Sequence, residues 1–400
     1  MLLPLRSLLS RYLGEWKMGL SGPDYSSHDF KTTTTTSIRL AMDGSSSLAV
    51  TFTDFELINY CPDVFRSLQD FAKVNSDAYM LSVYGNETLR KIASPWKCSS
   101  PIHFSQDHKF IIKIIRKSEM KVFLDMLPKY YGHARKYPNT LLTKIFGLHV
   151  VKPVEGPKVR FVVTGNILNS NLCIHKRFNL KGSSQGRGLT KGVGDDNAMY
   201  KDVDLDVVFH LDRTTRAKLL EQIMHDCDFL EGIGVMDYSL LVGMHIRRAS
   251  NSDLLPRDQS PCNVGSVDTK RKRSDSHSSV QSDYDQDLSS TSDMQSNYSY
   301  EEHDDRLGVR TLAHAVKIQK IESGGLTIFR NTGKEEPSDV ILYFEIIDIL
   351  QGYNMVKRVE HVFKSLQFDA QSISAVNPNY YSTRFQDFLS KVFPENHSLL

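Results

Sequence analysis

Three charged residues set into apolar runs constrain this chain more than anything else in it. The stretch Glu231-Gly-Ile-Gly-Val-Met-Asp-Tyr-Ser-Leu-Leu-Val-Gly243 places Asp237 at the mouth of a run through Leu240, Leu241 and Val242 to Met244 and Ile246. Lys113 sits in Phe110-Ile-Ile-Lys-Ile-Ile115, and Asp348 in Val340-Ile-Leu-Tyr-Phe-Glu-Ile-Ile-Asp-Ile-Leu350. Short runs of this kind read as strands, where a buried charge is costly unless it is paired. Lys113 therefore calls for an anion, with Glu119 on the following helix as a candidate, unless strand alternation turns it to water from an edge strand. Asp348, between two isoleucines on one side and Ile349-Leu350 on the other, calls for a cation or a full set of donors. Asp237 by itself fits a strand-end carboxylate bound to its own turn equally well. Taken together, a lysine and two carboxylates held by strands are the parts of a metal-nucleotide phosphotransferase: an ammonium for the phosphates, a carboxylate for magnesium, and another for the attacking hydroxyl.

The 400 residues, 40% of them hydrophobic, suffice for one large or two coupled domains with a real core. A net charge of +2 gives no reason to expect a nucleic-acid partner. Five scattered cysteines, with no CxxC pair, fit free thiols in a reducing compartment and argue against zinc. No apolar run is long enough to span a bilayer. Met1 to Leu13 is interrupted by Pro4 and Arg6, so it reads as a short amphipathic or disordered arm rather than a secretory signal.

Residues 1–50 read as a flexible N-terminal arm, Ser-, Thr- and Gly-rich from residue 20, with the folded part starting afterwards. A helix is expected from Pro62 and strands at Val83-Tyr84 and Lys109 to Ile115, with a hairpin-like loop from Trp96 to Phe104. Ser118 is the expected cap of a helix that stops at Pro128. Strands follow at Leu141 to Val151 and Val159 to Leu168, then the polar loop Lys181-Gly-Ser-Ser-Gln-Gly-Arg187, whose backbone donors and two cations suit an anion. A helix through Leu219, Ile223, Cys227 and Leu230 leads into Asp237. From Ala249 the composition turns abruptly to Ser, Asp, Asn and Gln, the signature of a disordered insertion. Its basic knot Lys270-Arg-Lys-Arg273 has three readings: a solvated charge run, a nuclear import signal, or a contact to acidic lipid. Met355 to Leu366 has the pattern of an amphipathic basic helix, and a last helix runs through Phe385 and Phe393.

From about Phe55 to the carboxyl end, outside the insertion, these residues resemble the phosphatidylinositol phosphate kinases, and most closely the plant phosphatidylinositol 4-phosphate 5-kinases. The family's IMDYSLL stands here as Val235-Met-Asp-Tyr-Ser-Leu-Leu241, its IIK strand as Ile111-Ile-Lys113 and its IID strand as Ile346-Ile-Asp348. Its KKLEH is Lys357-Arg-Val-Glu-His361 and its YSKRF is Tyr381-Ser-Thr-Arg-Phe385. The resemblance implies an α/β (α+β), two-lobed kinase-like fold with an antiparallel N-lobe sheet and a smaller C-lobe. It implies a catalytic domain over 51–400, with the disordered insertion at 249–308 and an activation segment at about 349–384. ATP and Mg²⁺ would be the cofactors, with Lys113, Ser99, Ser100 and Glu119 at the nucleotide, Asp237 and Lys181 at the reacting hydroxyl, and Asp348 catalytic as the magnesium ligand. Lys357, Arg358 and Lys364 would meet an anionic membrane carrying phosphatidylinositol 4-phosphate, and Glu360 would go with acceptance of the 4-phosphate. The implied setting is cytoplasmic, peripheral at the inner face of the plasma membrane, with a nuclear pool as an option and a homodimer through the N-lobe as the candidate assembly. The membrane-occupation repeats of larger plant members are not seen in these residues, so the resemblance implies the short class.

Three positions depart from the family's motifs. The phosphate loop, GKSGSFFY in the family, is Trp96-Lys-Cys-Ser-Ser-Pro-Ile102 here, without glycine and with a proline that has no N–H. The family's DLKGS is Asn179-Leu-Lys-Gly-Ser183, and the glycine of LYFGIID is Glu345. The reading that follows is an ATP-dependent 5-kinase acting on phosphatidylinositol 4-phosphate; the alternative is a catalytically impaired phosphoinositide-binding scaffold of the same fold.

Overall fold

A computed structural model describes residues 23–42, 51–84, 90–91, 102–154, 156–183, 198–247, 306–323, 326–331, 336–350 and 376–395. The insertion from Ala249 with its basic knot, the arm from Met1 to Leu13, the Trp96 loop up to Pro101 and the segment Met355 to Leu366 lie outside these described residues.

In chain order the first elements are β1 (Thr33–Met42), β2 (Thr51–Tyr60), α1 (Pro62–Phe71), α2 (Ser76–Tyr84), β3 (Arg90–Lys91), β4 (Ile102–Phe104), β5 (Phe110–Ile114), α3 (Lys117–Lys136), β6 (Ile145–Pro153) and β7 (Val159–Gly165). Their strands form one antiparallel seven-stranded sheet in the order β1-β2-β6-β7-β5-β4-β3. The second set is β8 (Lys176–Leu180), β9 (Met199–Lys201), β10 (Val207–His210), α4 (Arg213–Gly232), β11 (Ser239–Ile246), β12 (Thr311–Ser323), β13 (Leu326–Asn331), β14 (Ser338–Ile347) and α5 (Pro378–Val392). Here the order is β10-β12-β14-β11-β8-β9, with β13 on β12 and a parallel β8–β9 pair. Two sheets with flanking helices agree with the α+β, kinase-like expectation.

Four local expectations are corrected. The lead-in expected to stay flexible through residue 50 contains β1, which pairs with β2 along its whole length; a threonine run is β-branched and suits a strand once a partner strand is present. Ahead of β1, Tyr25 and Phe30 meet the ring of Tyr131, and the Tyr25 hydroxyl donates to the Asp63 carbonyl at 2.8 Å. Val83-Tyr84 ends a helix rather than forming a strand, because Asn75 Oδ1 accepts from the amides of Asp77 and Ala78 and caps α2. The third correction is α3, which continues through Pro128 to Lys136. Its buried face, from Phe123 through Leu127 and Tyr130 to Tyr131, outweighs one missing N–H. At the other end of that helix, Arg116 rather than Ser118 holds the cap position. The last helix, expected through Phe385 and Phe393, is α5, which starts at Pro378 and is capped by Asn377.

One core joins α3 (Phe123, Leu127), α4 (Leu219, Ile223), β11 (Leu240, Val242), β14 (Phe344, Ile346) and α5 (Phe385, Leu389). A smaller one, of Tyr79, Phe110, Ile112, Phe146, Phe161 and Val163, lies against the first sheet. At the junction Asp226 is fully buried and fully bonded. It accepts from His133 Nε2 (2.6 Å), Thr140 Oγ1 (2.7 Å), Leu141 N (2.7 Å) and Gln222 Nε2 (2.9 Å). The segment it holds pairs with β14: Ile346 N donates to Leu141 O at 2.6 Å and Thr143 N to Ile346 O at 2.8 Å. That link, two residues before Asp348, ties the end of β14 to the segment that leads into β6 of the first sheet, which also carries Lys113.

Candidate active site

Asp237 lies just ahead of β11 and Asp348 directly follows β14, and these strands pair antiparallel with Ser239 opposite Ile347. The two carboxylates therefore emerge at the same end of one strand pair. Both backbones are left-handed, with φ of 65° and 63°. Aspartate tolerates that region better than most residues, yet each such position costs about 1–2 kcal/mol, and strain of this kind concentrates at functional sites. Tyr238 is pinned behind them: Tyr381 Oη donates to its carbonyl, and its ring meets Tyr381 and Phe385 edge-on at 4.7 and 5.0 Å.

Lys181 leaves the neighbouring strand β8, where Leu180 pairs with Leu240. Its Nζ donates to the Asp237 carbonyl at 2.6 Å and to Asp237 Oδ1 at 2.7 Å. Asp237 thus binds a lysine rather than only its own turn. The Lys181-Gly182 amides both donate to Asp202 Oδ1 at 2.7 Å. Gly182 is at φ 69°, and a Cβ there would lie 2.9 Å from Phe388 Cβ, so two separate constraints require glycine. Nothing in the sequence singles out Asp202, which is one acid among several some twenty residues downstream; only the parallel β8–β9 pairing puts it beside Lys181.

Lys113 is on an interior strand, β5, flanked by β4 and β7, so the edge-strand reading does not hold. Ile112 points into the smaller core, and Lys113, on the opposite face, reaches Asp348 Oδ1 at 3.3 Å. The partner expected for it, Glu119, is used elsewhere. Its carboxylate accepts from Arg116 N (2.8 Å) and Arg116 Nε (3.2 Å), closing the start of α3. Partial burial would raise the Glu119 carboxyl, but the Arg116 amide and guanidinium, helped by the charge of Lys113, hold it below the usual range. Lys113, Asp348, Lys181 and Asp237 are therefore brought together as two lysine–carboxylate pairs, with Glu119 bonded to Arg116 instead. Ser99, Ser100, Lys357, Arg358, Glu360 and Lys364 lie outside the described residues, as does the polar loop beyond Ser183.

Two of the motif departures are accommodated locally. Asn179 Nδ2 donates to Ser239 Oγ at 3.0 Å, so the amide is used between β8 and β11. Glu345 is buried on β14, in register with Leu241, on the strand face opposite Phe344 and Ile346. Burial pushes its carboxyl up to about 8, an effect that Lys144 moderates. Lys144 is part-buried, and desolvation pulls it down to about 8, with Nζ donating to the Thr140 carbonyl at 2.7 Å.

Among the described residues no three acidic, imidazole or thiol groups converge as a metal cage. A half-exposed strand-end carboxylate such as Asp348 nevertheless fits magnesium, which takes one or two carboxylates, keeps waters and completes its shell with phosphate oxygens. Also among the described residues, no helix is long and apolar enough to cross a membrane.

A lysine from one sheet facing a strand-end carboxylate of another, beside a second carboxylate bound by its own lysine, is a site of the kinase class. Comparison with known proteins refines this. The family described as PIP5K, Phosphatidylinositol-4-phosphate 5-Kinase, matches residues 83–392. The chain is 41% identical over 351 residues to phosphatidylinositol 4-phosphate 5-kinase 3 of Arabidopsis thaliana, covering 86% of this chain and 46% of the relative. It is 42% identical over 379 residues to kinase 9 of the same plant, covering 86% and 45%. With kinase 10 it shares 37% over 393 residues, covering 86% of this chain and 91% of that protein. The chain belongs to the phosphatidylinositol-4-phosphate 5-kinase family, and it spans about half the length of the first two relatives.

Proposed function

We propose that this protein transfers the γ-phosphoryl group of ATP to the 5-hydroxyl of phosphatidylinositol 4-phosphate, making phosphatidylinositol 4,5-bisphosphate. The observation that carries the reading is the emergence of Asp237 and Asp348 at one end of the β11–β14 pair, with Lys113 of the other sheet 3.3 Å from Asp348. In the reaction the inositol oxygen bonds to the γ-phosphorus, the bond from that phosphorus to the bridging oxygen breaks, and ADP leaves. Asp237 orients the hydroxyl and takes its proton. Lys181, held on Asp237, keeps that carboxylate aimed and adds positive charge beside the transferring group. Lys113 exchanges Asp348 for the phosphates of the incoming nucleotide. Bound Mg²⁺, held by Asp348, would neutralise charge on the phosphate oxygens.

Ser99 and Ser100 are proposed as further nucleotide contacts. Lys357, Arg358 and Lys364 are proposed to hold the protein peripherally at the anionic inner face of the plasma membrane, and Glu360 to favour the 4-phosphate. Support for substrate and activity is the family membership together with the names of the relatives. Thin-layer analysis after incubation with Mg-ATP and each monophosphorylated inositide tests it. A labelled bisphosphate from the 4-phosphate lipid, and little from the 5-phosphate lipid, is expected. ATP consumption without any lipid product would overturn the reading, and lipid binding without turnover would leave a scaffold.

A further inference from the structure

Asp202 is a buried carboxylate that the proposed chemistry does not use. It directly follows β9, whose Lys201 is in parallel register with Asn179 of β8, so it lies beside the chain where Lys181 leaves the sheet. Its Oδ1 takes two successive amides, Lys181 N and Gly182 N, each at 2.7 Å. Convergent neighbouring N–H groups form a small anion-binding concavity, here closed by a carboxylate of the same chain. Asp202 is in turn anchored: its carbonyl oxygen accepts from Lys320 Nζ, on β12. On the other side of the turn, Gly182 is packed against Phe388 of α5.

The consequence concerns Lys181. A lysine side chain has four rotatable bonds and many places to put its ammonium, so a fixed Nζ position needs a fixed Cα. Asp202 from below and α5 from above supply it, and from there Nζ reaches both the carbonyl and the carboxylate of Asp237. The charge-assisted pair of amide bonds is of the strong kind, and removing the acceptor strands two N–H groups in a part-buried place.

We propose that Asp202 is the positioning residue for Lys181: its carboxylate sets the Lys181-Gly182 turn so that the ammonium is delivered to Asp237. The catalytic part of this inference rests on the proposed phosphoryl transfer; the positioning part does not. The test uses the full chain as wild type, Asp202→Ala and Asp202→Asn. Reductive methylation of Lys181, followed by mass spectrometry, reads the freedom of Nζ without any turnover. Asp202→Ala should raise the methylation rate about tenfold, and Asp202→Asn, which keeps an acceptor oxygen, should stay within about threefold of wild type. In the lipid assay Asp202→Ala should lower kcat by about 10- to 100-fold with KM for ATP little changed, and Asp202→Asn should recover most of the loss.

Should Asp202→Ala not fold, Lys320→Gln loosens the Asp202 backbone that carries this carboxylate and should raise Lys181 methylation about threefold. Unchanged Lys181 reactivity in Asp202→Ala, or in Lys320→Gln where it has to stand in, overturns the proposal. So does an asparagine variant as impaired as alanine in both readouts. A wild-type chain with no lipid product overturns the functional reading instead, while the methylation rates still decide the positioning.

Discussion

The two lysine–carboxylate pairs of the site are built differently. Lys181 and Asp237 belong to neighbouring strands of one sheet, and Nζ makes two bonds of 2.6 and 2.7 Å with side chains 12% and 22% exposed. Lys113 and Asp348 come from different sheets and meet once, at 3.3 Å, with side chains 23% and 37% exposed. Part-buried, doubly bonded pairs are costlier to open than more exposed single contacts, which are worth about 0–1 kcal/mol. The difference teaches which half of the site is fixed and which can exchange partners. In the proposed reaction Asp237 would be presented ready-made to a hydroxyl, and Lys113 and Asp348 would part to admit nucleotide phosphates and a metal.

The largest expected effect comes from the fixed half. Asp237→Asn keeps shape and removes the proposed proton acceptor, so kcat for lipid phosphorylation should fall by about 10²–10⁴-fold with little change in thermal stability. Near-wild-type turnover would show that Asp237 is a structural carboxylate and dissolve the contrast. Next, Lys113→Ala should lower kcat/KM by about 10²–10³-fold and raise KM for ATP, which distinguishes an exchangeable nucleotide contact from a fixed one. Steady-state kinetics in which KM stays constant would count against it.

A third prediction concerns the strand that carries Asp348. Burial raises the Glu345 carboxyl from 4.5 to about 8, so between those values the unfolded chain releases a proton that the folded chain keeps. Stability from this group is present below pH 4.5 and is lost as pH rises to about 8. Lys144, lowered from 10.5 to about 8, acts in the opposite sense above that point. Urea titrations at pH 5 and pH 8 should show wild type losing on the order of 2–4 kcal/mol relative to Glu345→Gln across that interval. Parallel pH profiles for the two proteins would refute it.

The smallest effect is the most direct test of the comparison. Lys181→Ala should cost about 1–3 kcal/mol of unfolding free energy, because it leaves a partly buried carboxylate and a carbonyl without their donor. Lys113→Ala should cost less than about 1 kcal/mol. Equal losses in denaturant melts would mean that both pairs are held alike.

Much of the site is legible in the amino-acid sequence. Asp237, Lys113 and Asp348 stand out because charged side chains in apolar runs are expensive, and the expense points to function whatever the fold. The motif resemblance leads to the family that the comparisons show. Local chemistry misleads where tertiary packing overrides it: the Thr-rich lead-in finds a partner strand in β2, and Pro128 is carried through by the buried face of α3. Proximity along the chain suggests Glu119 for Lys113, but a helix start offers a nearer use for a carboxylate in its first turn.

The sequence by itself determined which residues carry charge into apolar surroundings, the alternation that sends Ile112 and Lys113 to opposite faces, and the motifs that define the family. Only the tertiary structure decided the pairings: Lys113 with Asp348 across 235 residues, Lys181 with Asp237, and Asp202 beneath the Lys181 turn. Periodicity and propensity are local quantities. Strand order, register and the parallel β8–β9 contact join segments far apart in the chain, and no local pattern carries that information.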